Sequence, residues 1–253
     1  MREVRVLAVR REQRSSVLRQ GPAFAVLLCV ALIAGGCATN VLMRPDIPDR
    51  IPATKVLLMK PDVQLSRLTA GGLHEPDAEW TEKGFGHVNS ALTELLEQTG
   101  AEVIRYDSVR QESEIAHSLD QVNKLYELVG TSIVEYKFLV PQTLPSKSNR
   151  FDWTLGAESV REIREQSGAD YALFVYLHDS YATSGRVGVM LIGAFFGVGV
   201  PTRRQVAFSS LVDLRSGDVV WFNWLRTPTG GTLREAEPAS RAVETLMSEL
   251  PIL

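Results

Sequence analysis

Apolar residues recur at helical spacing in four stretches of the chain. Phe85, Val88, Leu92 and Leu95 repeat every three or four positions before Gly100, a residue suited to stopping a helix. Three further sets share this spacing: Ile115, Leu119, Val122, Tyr126 and Val129; Val160 and Ile163 before Gly168; and Ala239, Ala242, Val243, Leu246 and Leu250. The pattern predicts four amphipathic helices, each with one face directed towards a core.

Short apolar runs between these helices predict strands. Residues 55–60 (KVLLMK) and 101–107 (AEVIRYD) have strand length. Residues 170–177 (DYALFVYL) are apolar at successive positions, which indicates a central strand covered on both faces. Alternating apolar residues around Ser216 and Gly217 predict a hairpin over residues 205–225. Trp221 and Trp224 differ by three positions, so a strand places them on opposite faces.

The order of these elements predicts the fold class. Strands that alternate with helices and then end in a hairpin and a closing helix indicate an α/β (α+β) fold, with a mixed β-sheet layered with amphipathic helices. We expect a single periplasmic domain at residues 55–253, because about 200 residues are enough for one hydrophobic core.

The first 36 residues have the composition of an export signal. Six arginines and only two glutamates precede the uncharged run Ala23–Ile33, which is too short to span a bilayer. Residues 33–37 (IAGGC) then place small residues before a cysteine, which resembles the lipobox of bacterial lipoproteins. The resemblance implies a lipoprotein signal peptide at residues 1–36 and an acylated (palmitate-bearing) Cys37 as the first mature residue. The alternatives are a plain secretory signal and an uncleaved anchor helix.

A lipidated N-terminus and tether are predicted at residues 37–54. Pro45, Pro48 and Pro52 lie there among mixed polar residues, a composition that favours an extended chain. Several acyl chains hold a protein on a membrane far more firmly than one chain does. The residue after Cys37 is Ala38 and not aspartate, which resembles lipoproteins sorted to the outer membrane. We therefore expect a lipid-anchored protein of the cell envelope, at the outer membrane and facing the periplasm.

Charge and cysteine content exclude several functions. Without residues 1–36 the basic count falls from 27 to 21 and the acidic count from 30 to 28, a net charge of −7 that does not favour nucleic-acid binding. With Cys29 in the predicted signal and Cys37 acylated, no thiol is left for a disulfide, a zinc site or a nucleophile. The histidines lack the spacing of metal ligands, so we expect no metal and no cofactor; they are His74, His87, His117 and His178.

Two stretches resemble the periplasmic lipoproteins of the CsgG and TolB N-terminal domain group. In that group a helix ending in GADY leads into a central strand, and a D-x-x-x-G-x-x-x-W hairpin follows. Residues 167–177 (SGADYALFVYL) and 211–221 (LVDLRSGDVVW) match these features, and the order of elements is similar over residues 55–250. Asp213 and Gly217 in the second stretch are turn formers, so the resemblance implies a fold and not a function.

Residues 187–201 (VGVMLIGAFFGVGVP) are the least polar run beyond the first forty residues. Four glycines and Pro201 disfavour a regular helix there, and a helix of this length would rise only about 22 Å against a hydrocarbon core of about 30 Å. Three alternatives stay open: a buried strand and turn, an exposed loop contacting a membrane or partner, and a CsgG-like hairpin inserted into the bilayer. The contact candidates are Met190, Leu191, Ile192, Phe195 and Phe196. The flanking arginines, which could meet lipid phosphates, are Arg186, Arg203 and Arg204.

Catalytic motifs are not found in the sequence. It contains no G-x-S-x-G elbow, phosphate loop, dinucleotide fingerprint or H-E-x-x-H. His178 and Asp179, at the end of the predicted central strand, are the one place where catalytic groups could gather. We therefore predict a non-catalytic, membrane-anchored envelope lipoprotein that binds another envelope component, with an envelope protein as the expected partner and an oligomer possible. The alternatives are a CsgG-like oligomeric outer-membrane assembly that inserts residues 187–201, and a periplasmic hydrolase that uses His178 and Asp179.

Overall fold

The computed structural model describes residues 39–51, 55–110, 115–141, 143–147 and 150–252. These residues form a mixed eight-stranded sheet with six α-helices, which confirms the predicted α+β fold class. The strands are β1 (Thr39–Met43), β2 (Lys55–Leu58), β3 (Asp62–Leu68), β4 (His74–Pro76), β5 (Glu102–Arg105), β6 (Tyr171–Ala182), β7 (Arg203–Asp213) and β8 (Val219–Leu225). The helices are α1 (Ala78–Glu97), α2 (Tyr106–Arg110), α3 (Ile115–Ile133), α4 (Ala157–Ser167), α5 (Ser184–Phe195) and α6 (Ala236–Leu246), and a π-helical turn (Val134–Leu139) continues α3.

The central strand is β6, as its apolar sequence predicts. Its first residues pair in parallel with β2 and its last residues pair in parallel with β3. On its other side it pairs along nearly its whole length with β7, which begins the predicted hairpin with β8. The main order of the sheet is β1-β8-β7-β6-β2-β5, with β3 and its antiparallel neighbour β4 continuing beside the end of β6. One half of the sheet is therefore antiparallel, and the other half is mostly parallel.

Helices cover both faces of the sheet. Helices α1 and α6 pack on one face, where Leu173 of β6 is buried, and α3 and α4 pack on the other, where Phe174 is buried. Neighbouring residues of a strand point to opposite faces, so one continuous apolar run fills both cores. Trp221 lies in the first core and Trp224 contacts the second, as their spacing predicts.

Turn chemistry explains the residues that end the β7–β8 hairpin. Gly217 has a φ of 77°, and its N–H donates to the carbonyl of Asp213 over 2.8 Å. A Cβ at Gly217 would lie 2.5 Å from main-chain atoms of Gly156, so a side chain does not fit there. The aspartate and glycine of the hairpin motif thus hold a turn in place.

The predicted tether takes a different form where the structure describes it. Residues 39–43 form β1, which pairs antiparallel with β8 and places Asn40 opposite Trp224. Val41 and Met43 pack against the first core, and Arg44 Nη1 forms an ion pair with Asp218 Oδ2 at 2.6 Å. Residues 39–43 of the predicted tether are therefore an edge strand, because the apolar run VLM covers the hydrogen-bonding edge that β8 would otherwise expose.

The predicted signal peptide (residues 1–36) and the predicted lipidation site, Cys37, lie outside the described residues. Among the helices that are described, none combines the length and the hydropathy that crossing a bilayer would require. Strands β3 and β4 were not predicted from the sequence. Val63 and Leu65 of β3 alternate with polar residues, but Ser66 and Arg67 break the alternation before Leu68.

Candidate functional site

Most of the apolar segment 187–201 lies on helix α5. The helix begins after Thr183, whose Oγ1 accepts the N–H of Arg186 over 3.3 Å. It ends at Phe195, and Gly197 follows with a φ of 74°. Such a left-handed glycine is a common helix stop, and it lets Val198 N–H donate back to the carbonyl of Gly193 over 2.8 Å. The strand, loop and hairpin weighed for this segment are therefore replaced by a helix.

The glycines of this segment act at its end and at a close approach, and they do not break the helix. A Cβ at Gly193 would lie 2.9 Å from Val200 Cγ2 and 3.0 Å from the carbonyl oxygen of Val198. The chain returning from α5 therefore packs directly on Gly193. Gly188 has no atom within 4 Å of a Cβ position and only lowers helix propensity.

Apolar side chains of α5 and the residues after it are exposed. The exposed fractions are 86% for Phe195, 73% for Phe196, 64% for Ile192 and 62% for Leu191, and no residue of the helix is buried. Met190 is half-buried, so four of the five predicted contact residues are exposed. Among the described residues, seven of the eleven large exposed hydrophobic side chains lie at residues 187–198, which we call the apolar tip.

The apolar tip projects from one end of the sheet. It joins the end of β6 to the start of β7, and β3 also finishes there, with Leu68 opposite Ala182. The turn after β3 is bound to α5, because Arg186 Nη1 donates to the carbonyl of Ala70 over 3.3 Å. Leu73 in the same turn is 68% exposed and adds to the apolar surface at this end. We call this end of the sheet the tip end.

Strand β1 runs away from the tip end. Strand β8 runs in the same direction as β6, since both are antiparallel to β7, and β1 is antiparallel to β8. The chain therefore enters β1 from the side of the tip and moves away from it.

A buried ion pair lies in the first core where β6 and β7 meet the tip, a place that we call the root of the tip. The carboxylate of Asp179 accepts hydrogen bonds from Arg203 (Nε–Oδ1 3.0 Å), Tyr181 (Oη–Oδ2 2.9 Å) and Gln205 (Nε2–Oδ2 3.0 Å). The Asp179 side chain is fully buried and that of Arg203 is 20% exposed. Arg203 also donates to the carbonyl of Thr229, which fastens the loop before α6 to the sheet. Burial raises the pKa of Asp179, and these donors oppose that rise. The Asp179 carboxylate and the side chains that donate to it all have partners, which suits the arrangement to fixing the chain. Beside it the buried Oγ1 of Thr229 has no hydrogen-bond partner among the described residues.

Aromatic and cationic side chains extend this root outwards. The Tyr181 ring lies edge-on to Trp80 at 6.3 Å, and the guanidinium of Arg234 lies 4.1 Å from the Trp80 ring centre. Arg67 stands over the same ring at 5.4 Å and forms an ion pair with Asp77, the N-cap of α1. The start of α1 is thus tied to β3 and β6 near the tip.

The predicted flanking arginines are not all free to meet lipid. Arg203 is held by Asp179, and Arg186 donates from Nε to the carbonyl of Pro201 over 3.0 Å as well as to Ala70. Arg204 is exposed. Two of the three arginines therefore fix the two ends of the tip.

His178 and Asp179 do not come together. They are neighbours in β6, so their side chains lie on opposite faces of the sheet. His178 Nε2 lies 2.9 Å from Asp62 Oδ1, and its Nδ1 lies 2.8 Å from Tyr176 Oη. The imidazole stacks on the Tyr176 ring at 4.0 Å, and that ring stacks on Phe208 at 4.6 Å. Burial raises the pKa of Tyr176, so this phenol keeps its proton at neutral pH. The hydrolase pairing suggested by the sequence is not formed.

In the part of the chain that the structure describes, no three His, Cys, Asp or Glu side chains meet in a group that could hold a metal ion.

The fold and this arrangement define the class of protein as a mixed-sheet α/β domain with an exposed apolar helix at one end. No protein-family model matches the chain, and no curated protein matches it. Among solved structures it is similar to a PelC dodecamer from Paraburkholderia phytofirmans, with 15% identity and a TM-score of 0.35, over 85% of this chain and 96% of that one. It is also similar to a DUF4136 family protein from Bacteroides thetaiotaomicron, with 12% identity and a TM-score of 0.34, over 85% of this chain and 96% of that one. These values are too low for a functional argument, and the resemblance to the CsgG and TolB group stays a prediction.

Proposed function

We propose that this chain is a non-catalytic lipoprotein of the cell envelope, anchored through acylated Cys37, that binds another envelope component through its apolar tip. The expected location is the outer membrane, with the domain in the periplasm. The basic leader, the apolar run and the IAGGC sequence support the anchor.

The exposure of the apolar tip carries the binding part of the proposal. A contiguous exposed apolar patch on a folded domain marks a contact with a protein or a membrane. Phe195 and Phe196 contribute most, because aromatic side chains bury about 150–250 Å² each when covered. Leu191 and Ile192 extend the patch along the helix, and residues 187–202 contain no charged side chain.

The geometry supports binding better than the two alternatives. A hydrolase would need His178 and Asp179 on one face, and the sheet separates them. A pore built from strands would need a hairpin at residues 187–201, whereas α5 is a helix of 12 residues. Such a helix rises about 18 Å, short of the hydrocarbon core of about 30 Å.

Mass spectrometry and crosslinking test the proposal together. The intact mass of the protein purified from membranes is expected to show the loss of residues 1–36 and an acylated Cys37, and Cys37→Ser is expected to lack the mass of the acyl chains. A photoreactive amino acid at Leu191 is expected to crosslink to an envelope component in intact cells. The same group at Ser216, exposed in the β7–β8 turn at the opposite end of the sheet, is the matched control. An unmodified thiol at Cys37, or equal crosslinking at the two positions, would contradict the proposal.

A further inference from the structure

We propose that the partner of the apolar tip is the lipid leaflet that carries the acyl chains of Cys37, so that the domain is held on the membrane at two points. This inference rests on the proposed function and names the partner of the same site. The tip then inserts into the leaflet and fixes the orientation of the domain relative to the membrane.

The distribution of exposed side chains on α5 favours lipid over a protein groove. At about 100° per residue, the exposed positions from Val187 to Phe196 spread over about 200° of the helix circumference. A surface helix that packs on a protein has an apolar stripe of about 100° or more with polar residues on the opposite face, whereas a helix that is apolar all round is buried in a protein core or in a membrane. Residues 187–202 offer no charged residue for a polar rim. A surface that is apolar over most of its circumference matches a fluid apolar phase, which surrounds it, better than a groove.

Three carbonyls in the last turn of α5 accept internal hydrogen bonds. The carbonyl of Ile192 accepts from Phe196 N–H over 3.3 Å, and that of Ala194 accepts from Gly197 N–H over 3.0 Å. The carbonyl of Gly193 accepts from Val198 N–H over 2.8 Å. Unsatisfied backbone groups are the main barrier to placing a chain end in hydrocarbon. The closed end of α5 therefore lowers the cost of insertion.

The predicted anchor can reach the same surface as the tip. Asn40 pairs with Trp224 of β8, which pairs with Phe208 of β7, which in turn pairs with Tyr176 of β6. Tyr176 lies six residues before Ala182 at the tip end, a distance of about 20 Å along the strand. Cys37 is three residues before Asn40 in the sequence, and three residues span at most about 10 Å. A difference of at least about 10 Å is then left to Ala182, spread over three strand spacings or about 14 Å, so the domain must tilt towards its β1 edge to bring the anchor and the tip to one plane.

Exposed apolar residues on the β1 side agree with this tilt. The Phe138 ring lies 5.0 Å from the ring of Trp224, the partner of Asn40. Leu139 and Val140 follow directly and are 61% and 42% exposed. A domain tilted towards its β1 edge would bring these side chains near the membrane as well.

The root of the tip makes the attachment rigid and leaves it independent of charge. Asp179 with Arg203 fixes β7, and the bonds from Arg186 to two carbonyls fix the start of α5. The predicted mature chain is acidic, so attraction to anionic lipid does not supply the contact. Insertion of the tip is therefore expected to be hydrophobic and insensitive to salt.

A spin label in the full lipidated protein tests the inference. The mature chain has no cysteine other than Cys37, whose sulfur is acylated under the proposed function, so Phe195→Cys provides a single reactive thiol. The variant, carrying a nitroxide, is placed in vesicles of phosphatidylethanolamine and phosphatidylglycerol. We expect oxygen to relax this label more strongly than a water-soluble nickel chelate does. The matched label at Ser216→Cys should show the reverse, and both results should persist in about 1 M salt, where the Debye length is about 3 Å.

Each other result of this experiment contradicts the inference. Equal water accessibility at positions 195 and 216 would exclude insertion, and spin–spin broadening at position 195 would show that the tip meets a second copy. Intact mass is measured on the same sample, so an unmodified Cys37 would identify failure of the proposed function separately. A second label at Leu191→Cys should give the same result as the label at Phe195→Cys. Thermal melts show whether either substitution itself disturbs the fold.

Discussion

Arg203 lies opposite Tyr181 in the register of β6 and β7, yet its guanidinium binds Asp179, two residues earlier in β6. This diagonal ion pair is almost completely buried and closes the first core directly beneath the tip. Burying charges is costly, so a pair of this kind stabilises the fold only while both partners are present.

Removing Arg203 is therefore expected to destabilise the domain strongly. The change Arg203→Met leaves the buried carboxylate of Asp179 without its cation, and we expect a loss of about 3 kcal/mol in the free energy of unfolding. Arg204→Met is the matched control, because the neighbouring side chain is exposed and its loss should change stability by less than about 0.5 kcal/mol. Urea denaturation measures the free energy of unfolding of both variants. Similar losses would show that the ion pair between Arg203 and Asp179 does not stabilise the domain.

The close approach at Gly193 gives a second prediction. Gly193→Ala places a methyl group against Val200 and the carbonyl of Val198, so we expect a loss of about 1–3 kcal/mol through overpacking. Gly188→Ala, in the same helix with open space around its Cβ, is expected to be neutral or to stabilise by up to about 1 kcal/mol. Thermal melts of the two variants distinguish them, and a stabilising Gly193→Ala would contradict the packing described for the returning chain.

The fold follows from the sequence wherever a long apolar run determines it. DYALFVYL became the central strand because its alternate residues fill both cores, and the hairpin turn was marked by its aspartate and glycine. Strand β1 could not be predicted in this way. Its three apolar residues form a strand only because β8 offers them an edge, and that edge exists only in the folded sheet.

The sequence identified the contact candidates of the tip but did not predict that they lie on a helix. The run VGVMLIGAFFGVGV identified the contact candidates, whereas its glycines suggested turns. Gly197 acts as a helix stop and Gly193 as a packing contact, two roles that spacing alone does not distinguish. The ion pair of Asp179 and Arg203 had no sequence signal, because 24 residues separate them and only the register of β6 and β7 brings them together.

Replacing the two phenylalanines of the tip tests whether their rings lie on the surface or pack in the core. Phe195→Ser with Phe196→Ser is expected to leave the melting temperature nearly unchanged, because both side chains are already exposed to water. The same variant is expected to lose association through the tip, measured by crosslinking from Leu191. Phe174→Ser is the matched core variant and should cost about 3–5 kcal/mol, since Phe174 is almost fully buried. A large loss of stability in the tip variant would mean that these rings pack in the fold.

The N-cap of α1 predicts a pH-dependent contribution to stability. Asp77 Oδ1 accepts the N–H of Trp80 over 2.9 Å, and this bond, together with the ion pair to Arg67, lowers the pKa of Asp77 below its usual value. A carboxyl with a lowered pKa in the folded state stabilises the fold above its unfolded pKa of about 3.9, and the effect is lost as the pH falls through the folded pKa. Asp77→Asn retains a capping oxygen but not the charge.

We therefore expect Asp77→Asn to unfold at lower urea concentration than the unmodified protein at pH 7. The two midpoints should converge as the pH falls through the lowered folded pKa of Asp77, below which its carboxyl is protonated in both the folded and the unfolded state. Glu82→Gln removes an exposed charge from the same helix and serves as the control. The small change in urea midpoint caused by Glu82→Gln should be the same with and without Arg67→Met. The change caused by Asp77→Asn should be smaller when Arg67→Met is already present. A difference for Asp77→Asn that is the same at pH 7 and at low pH would mean that the charge of Asp77 does not stabilise the start of α1.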